Sequence, residues 1–136
     1  MTPEQVFSIV NLIALFGWVL LILAPRFAWS RAIVSALPLI LSSAYLILLA
    51  TNWGRSDGGF GSLRDVSQLF QNPWLLLAGW VHYLAFDLFV GSWEAADAAE
   101  RGLSQWLVVP CLVLTFLVGP VGLLLYSGVR SARPLR

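Results

Sequence analysis

Four long apolar runs divide the chain, at residues 6–24, 32–50, 73–93 and 107–129. The third run is interrupted by His82 and Asp87. Each run is close to the ~20 residues that cross a ~30 Å hydrocarbon core as a helix. The pattern predicts an all-α polytopic membrane protein, with a bundle of four transmembrane helices that forms a single domain over residues 1–136.

Residues at the ends of the runs support these four spans. Pro25 ends the first predicted helix, and Asn72-Pro73 is typical of an N-cap followed by proline at the first helical position. Amphipathic tryptophan rings prefer the headgroup level of a bilayer. Five of them lie at or just beyond the run ends, namely Trp29, Trp53, Trp74, Trp93 and Trp106.

The loop between the second and third spans has a helical pattern of its own. Its apolar residues fall on one face, and they are Phe60, Leu63, Val66 and Phe70. We expect a short amphipathic segment that lies in the membrane interface between helices 2 and 3, and a functional lid is the alternative.

Arginine positions predict an orientation for four spans. One side carries both termini and residues 51–72, with Arg55, Arg64, Arg130, Arg133 and Arg136. The other side carries Arg26, Arg31 and Arg101. Five against three places both termini in the cytoplasm by the positive-inside rule. Since the chain begins at its first span without a targeting peptide, we expect a protein of the bacterial inner membrane.

Composition excludes several classes of protein. Hydrophobic residues make up 59% and charged residues 11%, with a mean hydropathy of +0.81. A soluble domain has about 45–50% apolar and about 25% charged residues. The net charge of +1 gives no electrostatic footprint for nucleic acid. All basic residues are Arg, so a lysine Schiff base is excluded, and the single Cys111 allows no internal disulfide.

Titratable residues inside the third span are the first candidates for chemistry. A carboxylate near the bilayer centre costs at least ~2.5–3.5 kcal/mol, so Asp87 must face the bundle interior or a polar cavity. At 100° per residue, His82, Asp87, Glu94 and Asp97 spread over an arc of about 140° on one side of the third span, so we expect one face to carry most of the titratable groups. The alternative is that His82 and Asp87 are satisfied by neighbouring polar groups and only hold helices together.

The same residues argue against a metal site. His82 and Asp87 are separated by five positions, whereas ligands on one helix align at three or four. We therefore predict no metal and no cofactor, with an iron site as the alternative. Proline should leave a carbonyl free one turn earlier, and for Pro120 this is the carbonyl of Phe116.

Two segments resemble a known family. They are the stretch from His82 to Gly91, HYLAFDLFVG, followed by Asp97, and the stretch from Gly119 to Tyr126, GPVGLLLY. Both resemble the abscisic-acid-deficient, neoxanthin-synthesis family of small four-helix membrane proteins, which are found in plant plastids and have bacterial homologues. The resemblance is clear over residues 72–130. It implies a carotenoid-like polyene substrate, and it carries the family's histidine and aspartates onto His82, Asp87 and Asp97.

We therefore expect a membrane enzyme that isomerises or otherwise modifies a polyene or related terpenoid by proton transfer, without a cofactor. Asp87 would be the acid or base, His82 its proton partner, and Asp97 a contact to a ring oxygen. Predicted substrate-binding residues are Asn11, Trp18, Trp80, Tyr83, Phe86, Glu94 and Tyr126. Metal-dependent carotenoid oxidation or cleavage, and a non-catalytic carotenoid-binding or assembly subunit, are the alternatives. The lipid bilayer is the expected partner, and a homo-oligomer is left open.

Overall fold

The computed structural model describes residues 1–132, and these form six helices. They are α1 (Pro3–Leu23), α2 (Ala28–Asn52), α3 (Leu63–Leu69), α4 (Pro73–Glu100), α5 (Gln105–Val118) and α6 (Pro120–Ser131). Three of them, α1, α2 and α4, are long and apolar enough to cross a membrane. The all-helical fold and its membrane character are confirmed.

Local sequence signals fix where these helices begin. Thr2 and Gln5 form a capping box at the start of α1, in which each side chain accepts the other residue's backbone N–H. The Asn72 side chain accepts the backbone N–H of Trp74 at 2.9 Å and so caps α4. The predicted segment between the second and third spans is the short helix α3, with Leu63 exposed.

Helix α4 is the centre of the bundle and packs against α1, α2, α5 and α6. Helix α1 runs parallel to α4, because Phe7 lies against Trp80 and Trp18 lies against Gly91. Helix α2 returns in the opposite direction. We call the two ends of the bundle the Pro73 end and the Glu100 end, after the first and last residues of α4.

The predicted fourth span, residues 107–129, is wrong as a single helix. The chain breaks at Gly119-Pro120, and α6 turns back along α5 as a hairpin. Gly122 lies directly on the backbone of Thr115, where any side chain would collide. At 1.5 Å per residue, helices of 14 and 12 residues are about 21 and 18 Å long. Neither reaches across a hydrocarbon core of ~30 Å.

The hairpin starts and finishes at the Glu100 end. Gln105, the first residue of α5, donates its amide N–H to the Ile22 carbonyl at 3.3 Å, beside the end of α1. Arg130, in the last turn of α6, pairs with Asp97 near the end of α4. The tip of the hairpin, Gly119, lies beside Asp87 in the middle of α4.

The hairpin places Pro3 and Arg130 at opposite ends of the bundle, which differs from the predicted placement of both termini on one side. Pro3 lies at the Pro73 end, where it shares a groove with Pro73, whereas Arg130 lies at the Glu100 end. The predicted orientation assumed four crossings, whereas the described residues contain three helices that are long and apolar enough to cross a membrane. Arg133 and Arg136, which entered that count, lie outside the described residues.

Candidate functional site

The three predicted acidic residues line the face of α4 that receives the hairpin. Asp87 lies at the hairpin tip, Glu94 faces α5, and Asp97 faces the end of α6. Their spacings of seven and three residues place them on one side of a helix. The environments of the three carboxyl groups differ, and each is described separately below.

Asp87 is half-buried and packed against the hairpin tip. A methyl group placed on Gly119 would lie 2.6 Å from Asp87 Oδ1, so any side chain at this position would require the Asp87 carboxyl group to move. The other oxygen, Oδ2, is buried and has no hydrogen-bond partner among residues 1–132. Buried polar atoms are nearly always satisfied. An unsatisfied carboxyl oxygen next to a break in a helix therefore indicates a group that is available to a ligand or a proton.

Tyr83 lies one turn before Asp87 and holds the tip of the hairpin. Pro120 has no N–H, which leaves the Phe116 carbonyl without its helical partner, as the sequence predicted. The Tyr83 hydroxyl donates to this carbonyl at 3.1 Å and lies 3.4 Å from the Leu117 carbonyl. Tyr83 thus connects the middle of α4 to the hairpin.

Between the hairpin tip and the Pro73 end, where the hairpin does not reach, α1 and α4 leave an apolar groove of about 590 Å³. Its walls come from the start of α1, the end of α3 and the first half of α4. The residues that line it include Glu4, Phe7, Phe70, Leu76, Trp80 and Tyr83. The groove thus extends along α4 from the Pro73 end to Tyr83, one helical turn from Asp87.

Two predicted binding residues shape one wall of this groove. The Trp80 ring lies 5.6 Å from that of Phe7 and 5.3 Å from that of Tyr83. Its indole N–H donates to Asn11 Oδ1 at 3.2 Å, which fixes the ring between α1 and α4. The structure therefore brings Asn11, Trp80 and Tyr83 together beside the groove.

Glu94 lies in the interior, with no exposed surface. Both of its carboxyl oxygens are 3.0 Å from the Thr115 hydroxyl, and no cation pairs with it among the described residues. Thr115 is also completely buried. The pair joins α4 to α5 between the hairpin tip and the Glu100 end. Glu94 is therefore enclosed by the helices and is not open to the groove.

Asp97 is the most fully partnered of the three carboxylates. Its Oδ2 accepts from the Tyr126 hydroxyl at 2.6 Å and from Arg101 Nε at 2.7 Å, while Oδ1 accepts from Arg130 Nη2 at 2.9 Å. Hydrogen bonding to Asp97 raises the pKa of Arg101. The Arg130 guanidinium also lies 5.0 Å from the centre of the Trp93 ring. This cluster fastens the end of α6 to α4.

His82 and Phe86 lie on a different face of α4. Five residues separate His82 from Asp87, which turns the two side chains about 140° apart. The His82 imidazole is exposed and stacks on Phe86 at 4.6 Å, with Tyr45 of α2 at 5.4 Å. Phe86 is 57% exposed. No hydrogen bond joins His82 to Asp87 within residues 1–132, so the structure does not bring this predicted pair together.

Trp18 is a core residue in this structure. It is 2% exposed and packs on Gly91 of α4 and on Phe116 of α5, with ring centres 5.5 Å apart in the latter pair. Over residues 1–132, no group of three His, Cys, Asp or Glu side chains is placed to hold a metal ion.

Sequence reasoning missed the pairing of Thr115 with Glu94, the pairing of Arg130 with Asp97 and the position of Gly119 against Asp87. Arg130 lies 33 residues from Asp97, and nothing in the sequence links the two. Gly119-Pro120 was the available signal for the hairpin, because a glycine before a proline is typical of a turn. The hydropathy of residues 107–129 predicted one continuous span instead.

Comparison with known proteins agrees with the motifs on α4 and at the hairpin tip. The ABA4-like family, described as ABA DEFICIENT 4-like, matches residues 5–126. No curated protein and no solved structure matches the chain. The family connects the chain to carotenoid and neoxanthin-related function. The match spans α1 to α5 and the first half of α6, including Asp87 and Gly119, and the chain belongs to the ABA DEFICIENT 4-like family.

Proposed function

We propose that the protein is a membrane enzyme that binds a carotenoid-like polyene in the groove between α1 and α4 and isomerises it by proton transfer at Asp87. The observation that carries this proposal is the arrangement of the groove. An apolar groove of about 590 Å³ ends at Tyr83, one helical turn from a carboxyl group whose Oδ2 lacks a partner.

The groove has the chemistry that a polyene requires. Its lining is almost entirely apolar, with the aromatic rings of Phe7, Phe70 and Trp80 along it. Flat rings of this kind pack well on an extended conjugated chain. Because the hairpin stops at Asp87, the groove is open along its side, and a substrate dissolved in the bilayer can enter laterally.

The proposed chemistry uses only groups of this chain and the substrate. The Asp87 carboxyl group donates its proton to the end ring of the polyene, and the resulting carboxylate takes a proton from a neighbouring carbon of the same molecule. The atoms of the substrate are conserved, Asp87 recovers its proton, and no oxidant is consumed. General acid–base catalysis of this type contributes about 10²–10⁴-fold in rate.

Neighbouring residues receive revised roles in this proposal. In this proposal Tyr83, rather than His82, is the polar neighbour of Asp87. Its hydroxyl donates to the Phe116 carbonyl, so its role is to hold the hairpin tip beside the Asp87 carboxyl group. Asp97 is occupied by Tyr126, Arg101 and Arg130, so it holds the hairpin and does not contact the substrate. Glu94 and Thr115 form a second attachment of the hairpin to α4.

We also propose a membrane orientation that follows from the hairpin. With α1, α2 and α4 as the crossings and α5–α6 as a re-entrant hairpin, the Glu100 end carries Arg26, Arg31, Arg101 and Arg130. The Pro73 end carries Arg55 and Arg64. The positive-inside rule then places the Glu100 end in the cytoplasm and the N-terminus on the opposite side of a bacterial inner membrane.

The proposal is tested with Asp87→Asn, which retains size and hydrogen bonding but cannot transfer the proton. Purified protein in lipid nanodiscs is incubated with candidate polyenes, and products are separated and identified by mass. We expect polyene binding to remain and turnover to fall by ~10²-fold or more. Asp57→Asn, in the exposed loop before α3, is the matched control and should retain turnover.

The alternatives give different results in the same assay. Normal turnover in Asp87→Asn would contradict the catalytic role. Binding without turnover in the wild type would identify a carotenoid-binding subunit. Turnover that requires oxygen, is lost on chelation and returns with added iron would identify oxidation or cleavage.

A further inference from the structure

A second cavity lies at the Glu100 end, on the opposite side of α4 from the acidic cluster of Asp97. Its volume is about 300 Å³, and it is enclosed by the turn between α1 and α2, the end of α4 and the start of α5. Arg26 and Arg31 line one side. Small residues, Ala98, Ala99 and Gly102, line the other side and leave the space open.

The two arginines of this cavity carry uncompensated positive charge. Neither guanidinium has an ion pair or a side-chain hydrogen bond among residues 1–132, and no acidic residue lines the cavity. By contrast, Arg101 and Arg130 at the same end are both paired with Asp97. Paired arginine forks match the geometry of phosphate oxygens, so the cavity is suited to an anionic phosphate.

Aromatic residues place the cavity at the depth of lipid headgroups. Trp29, at the start of α2, and Trp106, at the start of α5, are 55% and 87% exposed. Exposed tryptophans of membrane proteins prefer the interface between hydrocarbon and water. Basic pockets between transmembrane helices at the cytoplasmic surface bind anionic lipid headgroups.

We propose that this cavity binds the phosphate of an anionic phospholipid, held between Arg26 and Arg31. The small side chains of Ala98, Ala99 and Gly102 admit the headgroup, and the acyl chains follow the exposed apolar surface of the helices. The site is separate from the groove and from Asp87, so it is independent of the proposed enzymatic function, and it rests on the proposed orientation with the Glu100 end in the cytoplasm.

The test measures thermal unfolding of the full chain in detergent by tryptophan fluorescence. The added probes are short-chain phosphatidylglycerol, phosphatidylcholine with the same chains, and inorganic phosphate. A ligand that binds only the folded state raises the unfolding temperature. We expect phosphatidylglycerol to raise it by several degrees more than phosphatidylcholine, and inorganic phosphate at the same concentration to have no comparable effect.

Variants locate the effect. Arg26→Gln with Arg31→Gln should abolish the additional shift, whereas Arg55→Gln with Arg64→Gln removes the same charge from the Pro73 end and should retain it. Ala99→Leu should also abolish the shift, because it fills the cavity without changing charge. If the double arginine variant does not fold, Ala99→Leu alone tests whether the stabilisation by phosphatidylglycerol comes from this cavity.

Two results would overturn the proposal. The first is equal stabilisation of the wild type by the two lipids, or a phosphatidylglycerol shift that survives both Arg26→Gln with Arg31→Gln and Ala99→Leu. The second is stabilisation by inorganic phosphate that matches phosphatidylglycerol and depends on the same arginines. That result would assign the cavity to a soluble phosphate compound instead of a lipid.

Discussion

Asp87 and Asp97 lie ten residues apart on the same side of α4, and their surroundings are opposite. Asp97 accepts hydrogen bonds from Tyr126, Arg101 and Arg130, which use both of its oxygens. Asp87 has a buried oxygen without a partner and lies one turn beyond the end of an open groove. The difference separates a carboxylate that holds the fold from one that is available for chemistry.

The hairpin creates this difference. The end of the hairpin that carries Arg130 covers Asp97. Its tip, Gly119, stops beside Asp87 and leaves the groove toward the Pro73 end uncovered. A fourth helix that crossed the whole membrane would extend past Asp87 along α4 and cover the groove. The comparison of the two carboxylates therefore depends on the return of α6 toward the Glu100 end.

Membrane topology gives the largest expected effect, because labelling is all or none. Single cysteines replace Ser56 or Ser131 in a Cys111→Ser background, and an impermeant thiol reagent is added to intact cells. A re-entrant hairpin places the two positions on opposite sides of the membrane. We expect labelling at Ser56 and protection at Ser131.

Labelling of both positions, or protection of both, would indicate four complete crossings. That result would contradict the hairpin, on which the difference between Asp87 and Asp97 depends. Labelling of Ser131 alone would retain the hairpin but reverse the proposed orientation. A cysteine at Ala132 is a useful second probe, since it is exposed one residue beyond α6.

Filling the groove should weaken polyene binding at the Asp87 end while leaving the Asp97 end intact. Leu76→Trp places a larger side chain in the groove, and we expect polyene affinity to fall by about tenfold or more, equivalent to about 1.4 kcal/mol. Leu46→Trp, on the exposed face of α2, is the matched control. Bound pigment is measured by absorbance after purification, and equal retention by both variants would contradict the location of the site.

Asp97→Asn should have the smaller effect on function. It leaves Arg101 and Arg130 without their carboxylate, so the unfolding temperature should fall, while turnover per folded molecule remains within about twofold of the wild type. Thermal unfolding and polyene turnover are measured on the same preparation. A loss of turnover as large as that of Asp87→Asn, with unchanged stability, would assign Asp97 to the reaction.

Much of the fold follows from the sequence because long apolar runs have few alternatives in a bilayer. The runs at residues 32–50 and 73–93 lie within α2 and α4. The run at residues 6–24 lies within α1 except for its last residue, Ala24. The hairpin did not follow, since a crossing helix and two short re-entrant helices can have the same hydropathy. Only Gly119-Pro120 distinguished them.

The candidate site could be predicted in part for a similar reason. Asp87 was identified because an ionisable group in hydrocarbon is costly whatever surrounds it. The sequence of a single span is therefore enough to mark it as a candidate. Its neighbours depend on packing between helices, as in the contact of Tyr83 with the Phe116 carbonyl across 33 residues. The sequence predicted one shared side of the helix for His82 and Asp87, but the 140° between them places the two side chains on different faces of α4.

The central claim is that the end of the polyene contacts the Asp87 carboxyl group. The most direct measurement is the infrared difference spectrum between polyene-bound and free protein in nanodiscs. We expect a carboxyl band that changes on binding in the wild type, persists in Asp97→Asn and is absent from Asp87→Asn. A band that persists in Asp87→Asn, or a polyene that binds without any carboxyl change, would contradict the account.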